Sequence, residues 1–155
     1  MPISINCEIA TSAKITHPDL VNMYGCSIGT ETKVGPFVEI QAGVEIGSRC
    51  KIQSHSFICE GVKIGDGVFI GHGVVFTNDR NPRAILEDGS MVEDSGWVLE
   101  SIVVEDGASI GSNAVILPGL IIGKNSMVGA GSVVTKSVKP NSTVAGNPAK
   151  PIRSR

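Results

Sequence analysis

Aromatic residues make up 4% of this 155-residue chain, with one Trp and one Tyr. A core of stacked rings is therefore excluded, and apolar packing must come from aliphatic side chains. Long apolar runs are also missing. No stretch approaches the roughly 20 continuous apolar residues of a membrane span. The first residues show no basic segment followed by an apolar run, so no secretory signal is expected and the expected compartment is the cytoplasm. The four cysteines include no C-x-x-C pair. That removes the usual zinc-knuckle and thiol-redox spacings, and buried reduced thiols are expected in place of disulfides. Acid is absent from one whole region. Residues 107–155 hold six Lys and Arg and no carboxylate, which leaves −8 on residues 1–106 of a chain whose net charge is −2. A basic end on an acidic chain points to a local anionic ligand and away from a broad nucleic-acid surface. Ordinary solvated charge is the alternative.

What the chain does have is a beat of six residues. Ile28, Val34, Ile40, Ile46, Ile52, Ile58, Ile64, Ile70 and Phe76 all fall on it. It resumes at Val98 and runs through Val104, Ile110, Ile116, Ile122, Val128 and Val134. An earlier block of Ile3, Ile9, Ile15 and Val21 keeps the step, offset by one residue. Three residues after each anchor comes a position rich in Gly and Asn, such as Gly43, Gly61, Gly73, Asn113 and Asn125. Those residues tolerate backbone angles closed to most others, so each hexad reads as a short strand and a corner. An anchor every six residues does not stay on one face of a 3.6-residue turn, which excludes a helix. Three hexads close a triangular coil, and stacked coils make an all-β solenoid in one domain, residues 1–155.

The beat breaks once, between Phe76 and Val98. Hexad 76–81 fits, so residues 82–97 read as extra, and a loop should protrude at about 78–97. Such a long loop in a compact domain is uncommon and often functional. Trp97 would stand at its root and pack it onto the coils. The beat also places the histidines. His55 and His72 follow anchors 18 residues apart, so they share one face on successive coils. Asn78 opens the excursion on the next face. His17 looks incidental.

These hexads resemble the left-handed parallel β-helix of the hexapeptide-repeat acyltransferases, over nearly the whole chain. Parallel crossovers are normally right-handed; left-handedness is what the resemblance implies. Gly129-Ala130-Gly131-Ser132-Val133-Val134-Thr135-Lys136 and Ala145-Gly146-Asn147-Pro148-Ala149-Lys150 are similar to that family's acetyl-CoA end, here at about 107–155. Gly71 through Arg83 is similar to a segment of the N-acyltransferases that modify 3-amino sugars on a nucleoside diphosphate for surface polysaccharides such as lipopolysaccharide. The resemblance implies acetyl-CoA as co-substrate, no metal, a homotrimer with sites between subunits, and no nucleic-acid or membrane partner.

It also implies roles. His55 and His72 are candidates for the general base, because imidazole titrates near the working pH. His55 is preferred, since its corner is otherwise a Gly or Asn slot. Both histidines could instead only bind sugar. Asn78 matches the Asn expected beside the sugar amine. Glu60, Arg80 and Arg83 are substrate-binding candidates, the two arginines through the planar fork that suits phosphate. Gly111, Gly129 and Ala130 match positions where backbone meets the pantetheine arm. Lys136, Asn147, Pro148, Lys150 and Arg153 complete the cofactor set. Competing readings are an O- or N-acetyltransferase with another acceptor (serine, a xenobiotic or another sugar), a γ-type carbonic anhydrase with three zinc-binding histidines, and a non-catalytic solenoid.

Overall fold

The computed structural model describes residues 1–152; Arg153, one of the cofactor candidates, lies outside them. Two- to four-residue strands alternate with tight corners and form a three-sided parallel β-helix. The first sheet stacks Ile9, Ile28, Ile46, Ile64, Val104 and Ile122 in register. The second stacks Ile15, Val34, Ile52, Ile70, Ile110, Val128 and Val144. The third carries Met23, Ile40, Ile58, Phe76, Ile116 and Val134. Nearly all these side chains point inward and are buried, forming one aliphatic column through the prism. Each buried Ile or Val contributes roughly 1.5–3 kcal/mol.

The corners follow from the third position after each anchor. Glu31, Phe37, Arg49, His55, Asn113, Asn125 and Asn141 all have positive φ, as do the glycines in the same slot. The backbone there reverses direction in the left-handed region, which explains the Gly and Asn pattern. The slot after that faces inward and is narrow. Two of its hydroxyls bond to the next corner: Thr32 Oγ1 donates to Gly47 O at 2.7 Å and Ser56 Oγ to Gly71 O at 2.8 Å. Ser132 Oγ instead donates to Gly129 O at 2.7 Å, and Ser126 Oγ is buried with no partner among the described residues.

Two sequence expectations need correction. Val98 is 78% exposed and anchors nothing. Strand pairing resumes with Ile102–Val104 against Val62–Ile64, so Val104 takes the slot after Phe76 and the excursion is one hexad longer than residues 82–97. Val98 sits one full beat early, and periodicity alone cannot distinguish those phases. Near the start, a 3-10 turn at Pro18–Leu20 absorbs the offset, and Met23 occupies the third-sheet slot expected for Val21. Both side chains are buried.

All four cysteines are free, with Cys7 Sγ and Cys26 Sγ 3.7 Å apart. Burial, reinforced by Cys7, pushes the Cys26 thiol up to about 12, and burial pushes Cys59 up to about 11. Among the described residues, no helix is long and apolar enough to cross a membrane.

Close stacking of coils also explains the glycines directly after the anchors. A Cβ on Gly29 would lie 2.5 Å from Gly47 C and 2.7 Å from Ser48 N, all backbone of the next coil. A Cβ on Gly67 would meet nothing within 4 Å, although φ there is +65°. Gly67→Ala should therefore cost only the left-handed strain, about 1–2 kcal/mol. Gly29→Ala should cost about 3 kcal/mol by overpacking against backbone that cannot move aside. Denaturant unfolding of the two variants measures the difference; equal losses would contradict it.

Candidate active site

The second and third sheets meet along one edge of the prism. On successive coils this edge is built by Gly35-Pro36, Gln53-Ser54, Gly71-His72, Gly111-Ser112 and Gly129-Ala130, each directly after a second-sheet anchor. His72 lies in the middle of that column. Its Nδ1 is 2.9 Å from Ser54 Oγ on the coil before, and its backbone N–H donates to Ser112 Oγ at 3.1 Å on the coil after. Nε2 has no partner among the described residues. When Nδ1–H donates to Ser54, the lone pair sits on Nε2, facing solvent, where it can take a proton.

His55 sits on the same edge at the corner itself, with φ 64°, as its slot predicts. Its ring packs on Phe37, centroids 4.9 Å apart, and makes no hydrogen bond through the side chain among the described residues. Of the two histidines it is therefore His72, the less favoured from sequence, whose ring nitrogen is oriented by a partner. Ser54 and Ser112 were missed in the sequence. The period would have found Ser54, which precedes His72 by one coil of 18 residues.

Gly111, Gly129 and Ala130 continue this edge past His72. Coil stacking already accounts for the glycines: a Cβ on Gly111 would lie 2.5 Å from Ala130 N. An antiparallel hairpin, Thr143–Gly146 with Ala149–Pro151, then extends the second sheet. It places Asn147, Pro148 and Lys150, all exposed apart from the hairpin's packed base, beyond Ala130.

The remaining candidates are on the opposite edge of the third sheet. Asn78 Nδ2 donates to Glu60 O at 2.9 Å, so these two are brought together one coil apart. Lys136 follows Val134 on the same edge. Asn78 and Glu60 are thus separated from His55 and His72 by the width of the third sheet. The outward side chains between the two edges are Asn22 and Glu39 on the first coils and then Phe57, Val75, Val115 and Val133, an apolar ladder that is half-buried.

The excursion leaves from Asn78 and comes back to it, with Glu100 N–H donating to Asn78 O at 2.9 Å. Its tip is a small hairpin, Ile85 bridged to Met91 around Asp88-Gly89-Ser90. Ile85, Leu86 and Met91 are exposed there. Arg80 is held by Glu100 through two bonds, 2.8 and 3.0 Å, and also donates to Pro118 O at 3.3 Å. The carboxylate beside it raises the Arg80 pKa further. Its fork thus ties the loop to the prism. Arg83 stays exposed and lines a cleft of about 460 Å³ with Asp79, Leu86, Met91 and Trp97. Trp97 also lines the neighbouring cleft with Arg80 and Glu100, which places it at the loop base. Among the described residues no three His, Cys, Asp or Glu side chains converge as metal ligands would.

This architecture has known counterparts. The sequence pattern described as bacterial transferase hexapeptide (six repeats) matches residues 25–60 and 101–136, and that described as the hexapeptide repeat of succinyl-transferase matches 46–78. Together they cover more than half of the chain. The protein belongs to the hexapeptide-repeat acyltransferase family, and its solenoid is a left-handed β-helix.

No curated protein sequence matches significantly. Among solved structures, a hexapeptide transferase family protein from Anaplasma phagocytophilum is similar, with 21% identity, TM-score 0.75, and 96% of this chain and 79% of that one covered. The N-acyltransferase AntD from Bacillus cereus, solved as a D94N mutant with dTDP and coenzyme A, has 21% identity, TM-score 0.70, and 99% and 83% covered. PerB from Caulobacter crescentus, solved with CoA and GDP-perosamine, has 20% identity and TM-score 0.65. It matches 97% of this chain, which spans 56% of PerB's length. These likenesses establish the fold.

Arg80 is solvated and Glu100 half-buried, with side chains 61% and 30% exposed, so loss of the pair should scarcely change global stability. Local opening should change more. Glu100→Gln should speed proteolysis within residues 82–98 several-fold, read by mass mapping of limited digests. An unchanged cleavage rate would show that Trp97 packing alone holds the loop.

Proposed function

We propose that the protein is an acetyl-CoA-dependent N-acetyltransferase. Its acceptor is a nucleoside-diphosphate-linked amino sugar, a 3-amino sugar by the Gly71–Arg83 resemblance, destined for surface polysaccharide. One observation carries this reading. The candidate residues divide into two half-sites on opposite edges of one apolar sheet, His72 with Gly111, Gly129 and Ala130 on one, Asn78 with Glu60 on the other. A single chain leaves the halves apart. Cyclic packing of copies sets one edge against the other edge of a neighbour. The apolar ladder of Phe57, Val75, Val115 and Val133 and the exposed loop residues Ile85, Leu86 and Met91 are surfaces that such packing would cover. The reading is thus a homotrimer with a groove between subunits, working in the cytoplasm. The ligands of AntD and PerB, a nucleoside diphosphate or nucleotide sugar together with CoA, are of the class this groove would take.

In the reaction the sugar amine attacks the thioester carbon. A C–N bond forms, the carbonyl becomes an oxyanion, and collapse breaks the C–S bond to release CoA thiolate. Holding both substrates in one groove supplies much of the rate. Backbone N–H groups along the coil edge are available to the oxyanion. The amine proton goes to His72 Nε2 and from there to the thiolate. An α-amino group titrates at about 7.7–8.0, and a sugar amine that behaves alike is partly neutral before it binds. His55 and Asn78 then position the sugar, and the exposed Lys150 meets CoA phosphates.

A thiol-release assay with acetyl-CoA against nucleotide-linked 3- and 4-amino sugars tests this directly. Turnover with at least one is expected, and no release with any would overturn it. His72→Asn should then lower kcat by about 10²–10⁴-fold, the worth of a general base. A loss under about tenfold would remove proton transfer from His72 and leave it a positioning role. His55→Asn should act mainly on KM.

A further inference from the structure

The acidic half of the chain carries a ladder of unpaired cations. Lys14, Lys33 and Lys51 lie directly opposite one another on three successive strands of the second sheet. All three are exposed, and none forms an ion pair among the described residues. Neighbouring strands are about 4.8 Å apart, and like charges directly opposite are destabilising. The first sheet avoids this conflict. There the outward neighbour of Lys63 is Glu45, and the two pair at 3.0 Å. The second sheet keeps three like charges in a row spanning about 10 Å.

Two clefts flank the row, and Lys33 and Lys51 line both. One, of about 400 Å³, continues along the prism edge to Ser54 and His72. The other, of about 530 Å³, adds Lys14 and Arg49 at the opposite corner, with Glu31 as its one carboxylate. Along the helix axis the order on this side is Lys14, Lys33, Lys51, His72, then Gly111 and Gly129. His72 therefore stands between the lysine row and the CoA candidates.

We infer that the Lys14–Lys33–Lys51 ladder is the site for the pyrophosphate of the nucleotide acceptor, which enters from the N-terminal coils while CoA enters from the C-terminal ones. This rests on the acetyltransferase reading and adds to it a site for the acceptor. A pyrophosphate spreads negative charge over several oxygens, which suits three ammonium groups acting as point charges. It also explains why Arg80 can be committed to Glu100: the anion has other cations. CoA carries a pyrophosphate as well, so the ligand chemistry is shared and the test must separate the two sources.

The test is calorimetric titration of dTDP, UDP, GDP and CoA into the wild type, Lys33→Gln/Lys51→Gln and Lys33→Arg/Lys51→Arg. At least one nucleoside diphosphate should bind the wild type and lose about tenfold or more in affinity in the Gln variant. The Arg variant should stay within about threefold, because the charge remains. CoA affinity should be unchanged. The thermal midpoint of the ligand-free Gln variant should stay or rise at low salt, since repulsion has been relieved. That readout excludes misfolding as the cause. Unchanged nucleotide affinity would overturn the ladder site, as would weakened CoA binding instead, or no nucleotide binding to the wild type while CoA binds. A protein that binds nucleotide through the ladder yet releases no thiol would support the site and overturn the acetyltransferase reading.

Discussion

Each coil must lie one strand spacing above the last, and everything else in this protein depends on that contact. It requires a left-handed backbone at most corners. It forbids a Cβ after many of the anchors, where Gly29 or Gly111 would meet the next coil's backbone at 2.5 Å. It also carries the hydrogen bonds, because parallel strands this short have no other partners. A chain so constrained cannot build a pocket inside its column, which is filled with aliphatic side chains. Chemistry must happen outside, on edges and on whatever leaves the coil.

That rule gives the candidate site its form. Residues with chemical capacity collect where the backbone turns, and the stacking that repeats the turn repeats their positions. Ser54, His72 and Ser112 touch because the coil brings them into one file. The same geometry holds Asn78 and Glu60 together on the far edge. Two half-sites on one prism make assembly a condition of activity in this account. The excursion between Phe76 and Ile102 leaves from the Asn78 edge and carries the exposed apolar side chains Ile85, Leu86 and Met91.

Much of this was legible in the sequence. The anchors give the three sheets, and the Gly and Asn slot gives the corners, because both arise from contacts that recur on every coil. His55 at a positive-φ corner was readable for that reason. Where the period is ambiguous the reading slips. Val98 is in phase but one beat early, and Val21 yields to Met23 after the 3-10 turn. Side-chain pairing across coils was least visible. That Arg80 belongs to Glu100 depends on register across a long insertion. Ser54 and Phe37 each lie one 18-residue coil before His72 and His55, so the period holds those neighbours but does not say which ring bonds and which one stacks.

The central claim is that a working site needs one edge from each of two copies. Subunit mixing tests it most directly. His72→Asn and Asn78→Ala homomers, each nearly inactive, are unfolded together, refolded at equal ratio and assayed for thiol release. A cyclic assembly with shared sites should recover about a quarter of wild-type activity, since one site in four then combines two intact edges. Recovery no greater than the average of the two parents would contradict the account, and would mean that each chain carries its whole site alone.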